Sequence, residues 1–217
     1  MDNKPTLLLH SCCAPCSSHV LELLHKDYQI TVFFYNPNIT DRKEYELRRD
    51  ELRRLLNTPL LGGVNHSYES PLSFNFLEGP YTPDNFHDLC KGLESEPEGG
   101  GRCFRCYKLR LSETARTATE HGFDFFATTL TVSPHKNAAR INDIGHRLVD
   151  IVIADDAVIT GLTTSRRNEI CNPLSVPTYL PSDFKQNGGY QRSIALSKQY
   201  ALYRQNFCGC EFSRSML

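Results

Sequence analysis

Thr6-Leu7-Leu8-Leu9-His10-Ser11-Cys12-Cys13-Ala14-Pro15-Cys16-Ser17-Ser18 decides the fold. A short apolar run ending in a turn of small residues reads as a buried strand followed by a loop. Ser17 or Ser18 is positioned to cap a helix through Leu24, with Val20, Leu21, Leu23 and Leu24 as its apolar positions. Outward from there the alternation repeats. Ile30 to Tyr35 reads as a second strand, stopped by Asn36-Pro37-Asn38, and Asp41 to Leu56 as a charged helix. A third strand is expected within Pro59 to His66 and a short helix around Asp84 to Lys91. The loop Glu98 to Arg102 opens onto a long helix, Cys103 to His121, and Phe123 to Thr129 forms another buried strand. Ser133 to Asn137 begins a further helix to about Leu148, and Gly188 to Tyr203 a last one. Strands alternating with helices imply a layered α/β domain with a mainly parallel sheet.

With 217 residues, the chain suits one domain that buries roughly 70% of its unfolded surface, so it needs no disulfide staples. No run of 18 apolar residues occurs, which excludes a transmembrane helix. The start of the chain has no signal-peptide pattern, so a cytoplasmic protein is expected. Residues 1–101 carry 9 Lys and Arg against 15 Asp and Glu, and residues 102–217 carry 15 against 10. A basic second half permits an acidic partner such as RNA.

Seven of the nine cysteines fall into three groups: Cys12, Cys13 and Cys16; Cys103 and Cys106; Cys208 and Cys210. An odd total without a secretory signal argues against a disulfide scaffold and for metal or redox chemistry. The first group follows the carboxyl end of a strand, where open α/β sheets bind ligands, and a helix N-terminus there favours the thiolates that ligate metal. Cys103 and Cys106, three apart, share one face of a first helical turn, beside Arg102, Arg105, Lys108 and Arg110. Two such pairs provide four sulfurs, which suit a [4Fe–4S] cluster and also suit zinc. Cys208-Gly209-Cys210 can close a small strained disulfide, and strain eases reduction. Cys90 and Cys171 stand alone. His135 and Lys136, between a strand and a helix start, suit an anion or a substrate hydroxyl, and Tyr190 and Arg192 suit an RNA surface.

Together these residues resemble the QueH-type epoxyqueuosine reductases. The resemblance runs from Leu8-to-Cys16 through Tyr35-Asn36-Pro37-Asn38-Ile39, Glu98 to Cys106, Thr128 to Asn137 and Asp183-Phe184-Lys185. It continues through Gly189 to Ser193 and Tyr203-Arg204-Gln205 and ends on Phe207 to Ser213. It implies an oxidoreductase that removes the epoxide oxygen of epoxyqueuosine at the wobble position of tRNA, the last step of queuosine synthesis, without a corrinoid. By position it implies Cys12, Cys13, Cys103 and Cys106 as [4Fe–4S] ligands and Cys208 and Cys210 as a redox-active pair. An additional iron ion is implied near the cluster, with Cys16 placed to help hold it. Its partners would be tRNA bearing epoxyqueuosine and an electron donor.

The expected architecture is a single Rossmann-like domain over residues 1–217, of nucleotide-hydrolase-like (HUP) type, with a helical C-terminal part. Residues 150–180, carrying Cys171, Arg166 and Arg167, read as an insertion. Two other classes compete. An iron–sulfur tRNA-thiolating enzyme would carry Ser-Gly-Gly-x-Asp-Ser after the first strand, where Ser11-Cys12-Cys13-Ala14-Pro15 stands. A zinc-stabilised RNA-binding module would need only the cysteine pairs.

Overall fold

A computed structural model describes residues 4–58, 74–160 and 176–214. Five strands form one parallel sheet: β1 (Thr6–His10), β2 (Gln29–Phe34), β3 (Asn75–Glu78), β4 (Phe125–Thr128) and β5 (Thr178–Tyr179), in the order β3-β2-β1-β4-β5. Helices α1 (Ala14–Leu24), α2 (Arg42–Leu56) and α6 (Gly189–Gln199) supply residues to the core on one face; α4 (Gly101–Glu120) and α5 (Ala138–Thr160) do so on the other. Two short helices, α3 (Pro83–Cys90) and α7 (Glu211–Arg214), complete the set.

Alternation along the strands makes both faces apolar. Leu7 and Leu9 join Ile30, Val32 and Phe34 against Val20, Leu21, Leu52 and Leu196. Leu8, Phe33 and Phe126 point the other way, against Tyr107, Leu111, Ile141 and Ile144. A sheet covered on both faces reads as continuous apolar runs, and Leu7-Leu8-Leu9 is such a run, every residue 0% exposed. The strand order reverses between β1 and β4, so the crevice beyond their carboxyl ends is the topological switch point where layered sheets of this type bind ligands.

Several boundaries differ from the sequence reading, each for a local reason. Helix α1 begins at Ala14 with Cys13 as its N-cap and a proline in its first turn, instead of at Ser17 or Ser18. Those two hydroxyls lie inside the helix and donate to the carbonyls of Cys13 and Pro15, at 2.8 and 2.9 Å. Helix α5 begins at Ala138, after Asn137, whose Oδ1 accepts the Arg140 N–H at 3.1 Å. Ser133 to Lys136 therefore form a turn, following a 3-10 turn over Thr129–Val132. Helix α6 stops at Gln199 because Ala201 takes a left-handed φ of 47°.

The strand expected in Pro59 to His66 lies outside the described residues; among those described, β3 occupies Asn75–Glu78. Within the expected insertion, α5 runs on to Thr160 and β5 supplies the edge strand, whereas residues 161–175, with Cys171, lie outside the described part. Among the described residues, no helix is long and apolar enough to cross a membrane.

Candidate active site

Register brings three loops to one point. His10 ends β1 opposite Phe33 on β2 and Thr128 on β4, so the segments that follow these strands converge. From the first segment, Cys12, Cys13 and Cys16 place their sulfurs within 4.8 Å of one another. Cys12 Sγ lies 3.7 Å from Cys13 Sγ and 3.8 Å from Thr129 Oγ1. Three sulfurs this close share one anionic position. Hydrogen bonds from Cys13 and Cys16 hold the Cys12 thiol well below its usual range, with Arg110 and Lys136 adding attraction. The same bonds push Cys13 up to about 11 and raise Cys16. The arrangement favours negative charge on Cys12 over its two neighbours.

Beneath them is a buried polar network. Arg110, 1% exposed, donates from Nε to His10 Nε2 at 3.3 Å and from a terminal nitrogen to Asn36 Oδ1. Asn36 in turn donates to Ser11 O at 2.9 Å, fixing the loop that carries the cysteines. Burial, then the Arg110 charge, lowers the His10 imidazole to about 3, so this ring is neutral. His10 Nδ1 shares a hydrogen with Thr128 Oγ1 at 2.8 Å. No carboxylate pairs with Arg110 among the described residues; the acidic groups that hold its charge against burial are the thiols of Cys106, Cys12 and Cys208. A buried cation without an anion is costly. The site is therefore built for negative charge.

Cys103 and Cys106 lie in the first two turns of α4, and Cys103 Sγ accepts the Gly99 N–H at 3.3 Å. Burial raises both thiols, Cys106 to about 12. Cys106 packs with Phe86, Cys90 and Cys210 in a small apolar cluster. Cys208 instead lines a cavity of about 540 Å³ that it shares with Cys12, Cys16, His135 and Lys136. Burial would lower the Lys136 ammonium, but Cys208, Tyr107, Cys12 and Cys16 around it prevail and raise it. Arg48, Arg110 and Arg204 complete a cationic wall that Glu98 faces as the only carboxylate of the lining.

The structure thus brings Cys12, Cys16, Cys208, His135 and Lys136 to one cavity, with Cys13 buried behind it. Cys106 and Cys210 are not among its lining residues but meet in the Phe86 cluster, and Arg110, which lines the cavity, interacts with both Cys106 and Cys12. Arg192 is elsewhere: it pairs with Glu22 on the outer surface, at 2.9 Å, whereas its neighbour Tyr190 does line the cavity. Arg204 lies over the Tyr190 ring at 5.6 Å and donates to its hydroxyl at 3.1 Å.

Sequence reasoning gave no role to His10, Asn36 or Arg48, and placed Arg110 only as one of the basic residues beside Cys103 and Cys106. A signal existed for the arginines. Arg48 falls three after Tyr45 and four before Leu52, and Arg110 four after Cys106, so each lies on its helix's apolar stripe.

A parallel sheet with a thiol-lined, cation-walled cavity at its switch point defines a protein of the Rossmann-like class whose Cys12, Cys13 and Cys16 could hold a metal ion. The family described as "Epoxyqueuosine reductase QueH" matches this chain over residues 7–155 and 156–216. A protein of that name from Streptococcus pyogenes serotype M1 is 38% identical over 213 residues, 98% of this chain and 72% of its own length. One from Staphylococcus epidermidis is 38% identical over 212 residues (97% and 76%), and one from Thermotoga maritima 32% over 211 (96% and 90%). The chain belongs to the QueH family.

Proposed function

We propose that this chain is an epoxyqueuosine reductase, converting the epoxide at the wobble position of tRNA to the alkene of queuosine. The observation that carries the reading, beside family membership, is the meeting of Cys12, Cys16 and Cys208 with Lys136 and Arg110 in one cavity. Cys12, Cys13, Cys103 and Cys106 would hold a [4Fe–4S] cluster, and Cys16 would help to hold an additional iron ion. The donor set fits: thiolate sulfur is the ligand of such clusters, and the Arg110 charge has no carboxylate partner among the described residues. When bound, the cluster supplies single electrons and the extra iron a Lewis acid for the departing oxygen. On this reading one domain spans residues 1–217 and works in the cytoplasm, where tRNA is found.

The balance is one epoxide, two electrons and two protons giving one alkene and one water. Cys208 and Cys210 as dithiol hold two electrons and two protons, released together when they close a disulfide. An external electron donor restores the dithiol. Lys136, held in its charged form among the thiols, can bind the oxygen as it acquires negative charge and supply a proton to it. Arg204 and Tyr190 offer a stacking surface for the base, and stacked aromatic and guanidinium planes are how single-stranded RNA bases are held.

The test uses protein purified and reconstituted without oxygen, tRNA bearing epoxyqueuosine and a strong reductant, with the nucleosides weighed after digestion. Loss of one oxygen, abolished by Cys103→Ser, is the expected result. No conversion by protein with an intact iron–sulfur cluster would overturn the assignment. Zinc in place of iron, with no visible absorption, would favour the RNA-binding module.

A further inference from the structure

The segment holding Cys208 and Cys210 is pinned by a buried side chain of α2. Arg48, 1% exposed on α2, donates from Nη1 to Cys208 O at 3.1 Å and from Nη2 to Phe207 O at 3.3 Å. Its guanidinium also lies 5.0 Å from the centre of the Phe207 ring. Glu44 orients it through a 2.6 Å bond to Nε and accepts the Tyr203 hydroxyl at 3.0 Å. Asn38 adds a longer bond to Cys208 O, 3.5 Å. Gly209 permits this seat on two counts. Its φ of 109° is left-handed, and a Cβ there would stand 2.9 Å from Ile39 Cγ1 and 3.1 Å from Arg48 Nη1.

Seated in this way, the two thiols face different surroundings. Cys208 lines the cavity, whereas Cys210, 6% exposed, packs with Phe86, Cys90 and Cys106. A disulfide between them requires the two sulfurs to leave these separate surroundings and meet, next to the carbonyl that Arg48 holds.

We propose that Arg48 is a positioning residue that favours the dithiol arrangement, presenting Cys208 to the cavity and keeping Cys210 apart from it until the clamp is released. This rests on the redox role given to the pair under Proposed function. A contact shifts an equilibrium only by its differential strength in the two states. Charge-assisted bonds to two carbonyls, present in one state and strained in the other, carry about tenfold or more.

The test equilibrates full-length, metal-free protein with mixtures of glutathione and its disulfide. Two protein thiols and one glutathione disulfide exchange to one protein disulfide and two glutathiones. Alkylation and mass analysis of the Cys208–Cys210 peptide then give the equilibrium constant. A Glu44→Gln/Arg48→Met protein, which strands no carboxylate, is expected to favour the disulfide at least tenfold more than wild type. Arg48→Lys, which keeps the charge and loses the fork, should fall between them, and it stands in if the double variant does not fold. Amide exchange across residues 206–210 should quicken at least tenfold in the double variant. Equal equilibrium constants and equal exchange in folded variants would overturn the clamp. If no disulfide forms in any protein while exchange quickens, the clamp stands and the redox role of the pair falls.

Discussion

At one end of the chain, the backbone of Cys13 to Cys16 is held mainly by bonds made nearby, Ser17 Oγ to Cys13 O, Ser18 Oγ to Pro15 O and the helix that starts at Ala14, with the Asn36 bond to Ser11 O as its longer tie. At the other end, Cys208 and Cys210 sit in a seat built by Arg48 and Asn38, 160 and 170 residues earlier. The first group comes from a strand end and a helix start, elements that form for their own reasons. The second has only the single-turn α7 beside it and depends on buried side chains of α2 and of the loop after β2. A locally built group suits a fixed ligand set; one held by a few polar bonds can be released. On the proposed function, the first would be a static centre and the second a movable relay.

The sharpest break of that comparison comes from single serine substitutions. Cys12→Ser should take up no cluster and convert no epoxyqueuosine, whereas Cys208→Ser should keep its full iron and sulfide content and lose multiple turnover. If iron is lost from both, the two groups build one site and the contrast fails. Next in size is Arg48→Met alone, which strands Glu44, 7% exposed, in the interior. It should cost about 3–5 kcal/mol in urea unfolding, the usual effect of breaking a buried ion pair.

Gly209→Ala should cost about 1–3 kcal/mol in strain from a left-handed backbone, before the contact with Ile39 is counted. Amide exchange should show that loss confined to the C-terminal segment. Ser17→Ala, its counterpart at the other end, removes one short-range bond and should cost only about 0.5–1.5 kcal/mol. If Ser17→Ala proves the larger, the first group depends on its hydroxyls more than on its helix.

The smallest expected effect concerns a long-range tie on the surface. Asp124 accepts the Thr6 N–H and hydroxyl, both at 2.8 Å, and these bonds hold its carboxyl below the usual 3.8. A lowered carboxylate gives stability that is present above the unfolded value and lost as pH falls through the folded one. Asp124→Asn should therefore cost about 1 kcal/mol or less at neutral pH, because the group is exposed. In strong acid, urea midpoints of the two proteins should coincide.

Most of the α/β frame was legible because its signals are local. Leu7-Leu8-Leu9, an apolar run ended by small residues, reads as a strand buried on both faces, and the Asp41 cap and the 3.6-residue stripe of α2 lie within one short stretch. The edge strands were not: β3 has four residues beside Gly79 and Pro80, and β5 has two, too few for a period to show. At the site the cysteines announced themselves by spacing. Asn36 read only as a turn residue, although its side chain ties Ser11 to Arg110.

The sequence by itself determined the layered α/β class, the three cysteine groups, and membership of the family whose motifs the chain carries. Tertiary structure alone decided that Cys208 shares a cavity with Cys12 while Cys210 does not, that Arg192 stays on the outer surface, and that Arg48 and Arg110 are buried cations. The physical reason is range. Backbone hydrogen bonding and apolar periodicity act over a few residues and leave their mark in order along the chain. The partners of a buried charge come from strands and helices up to 160 residues apart, and only folding brings them together.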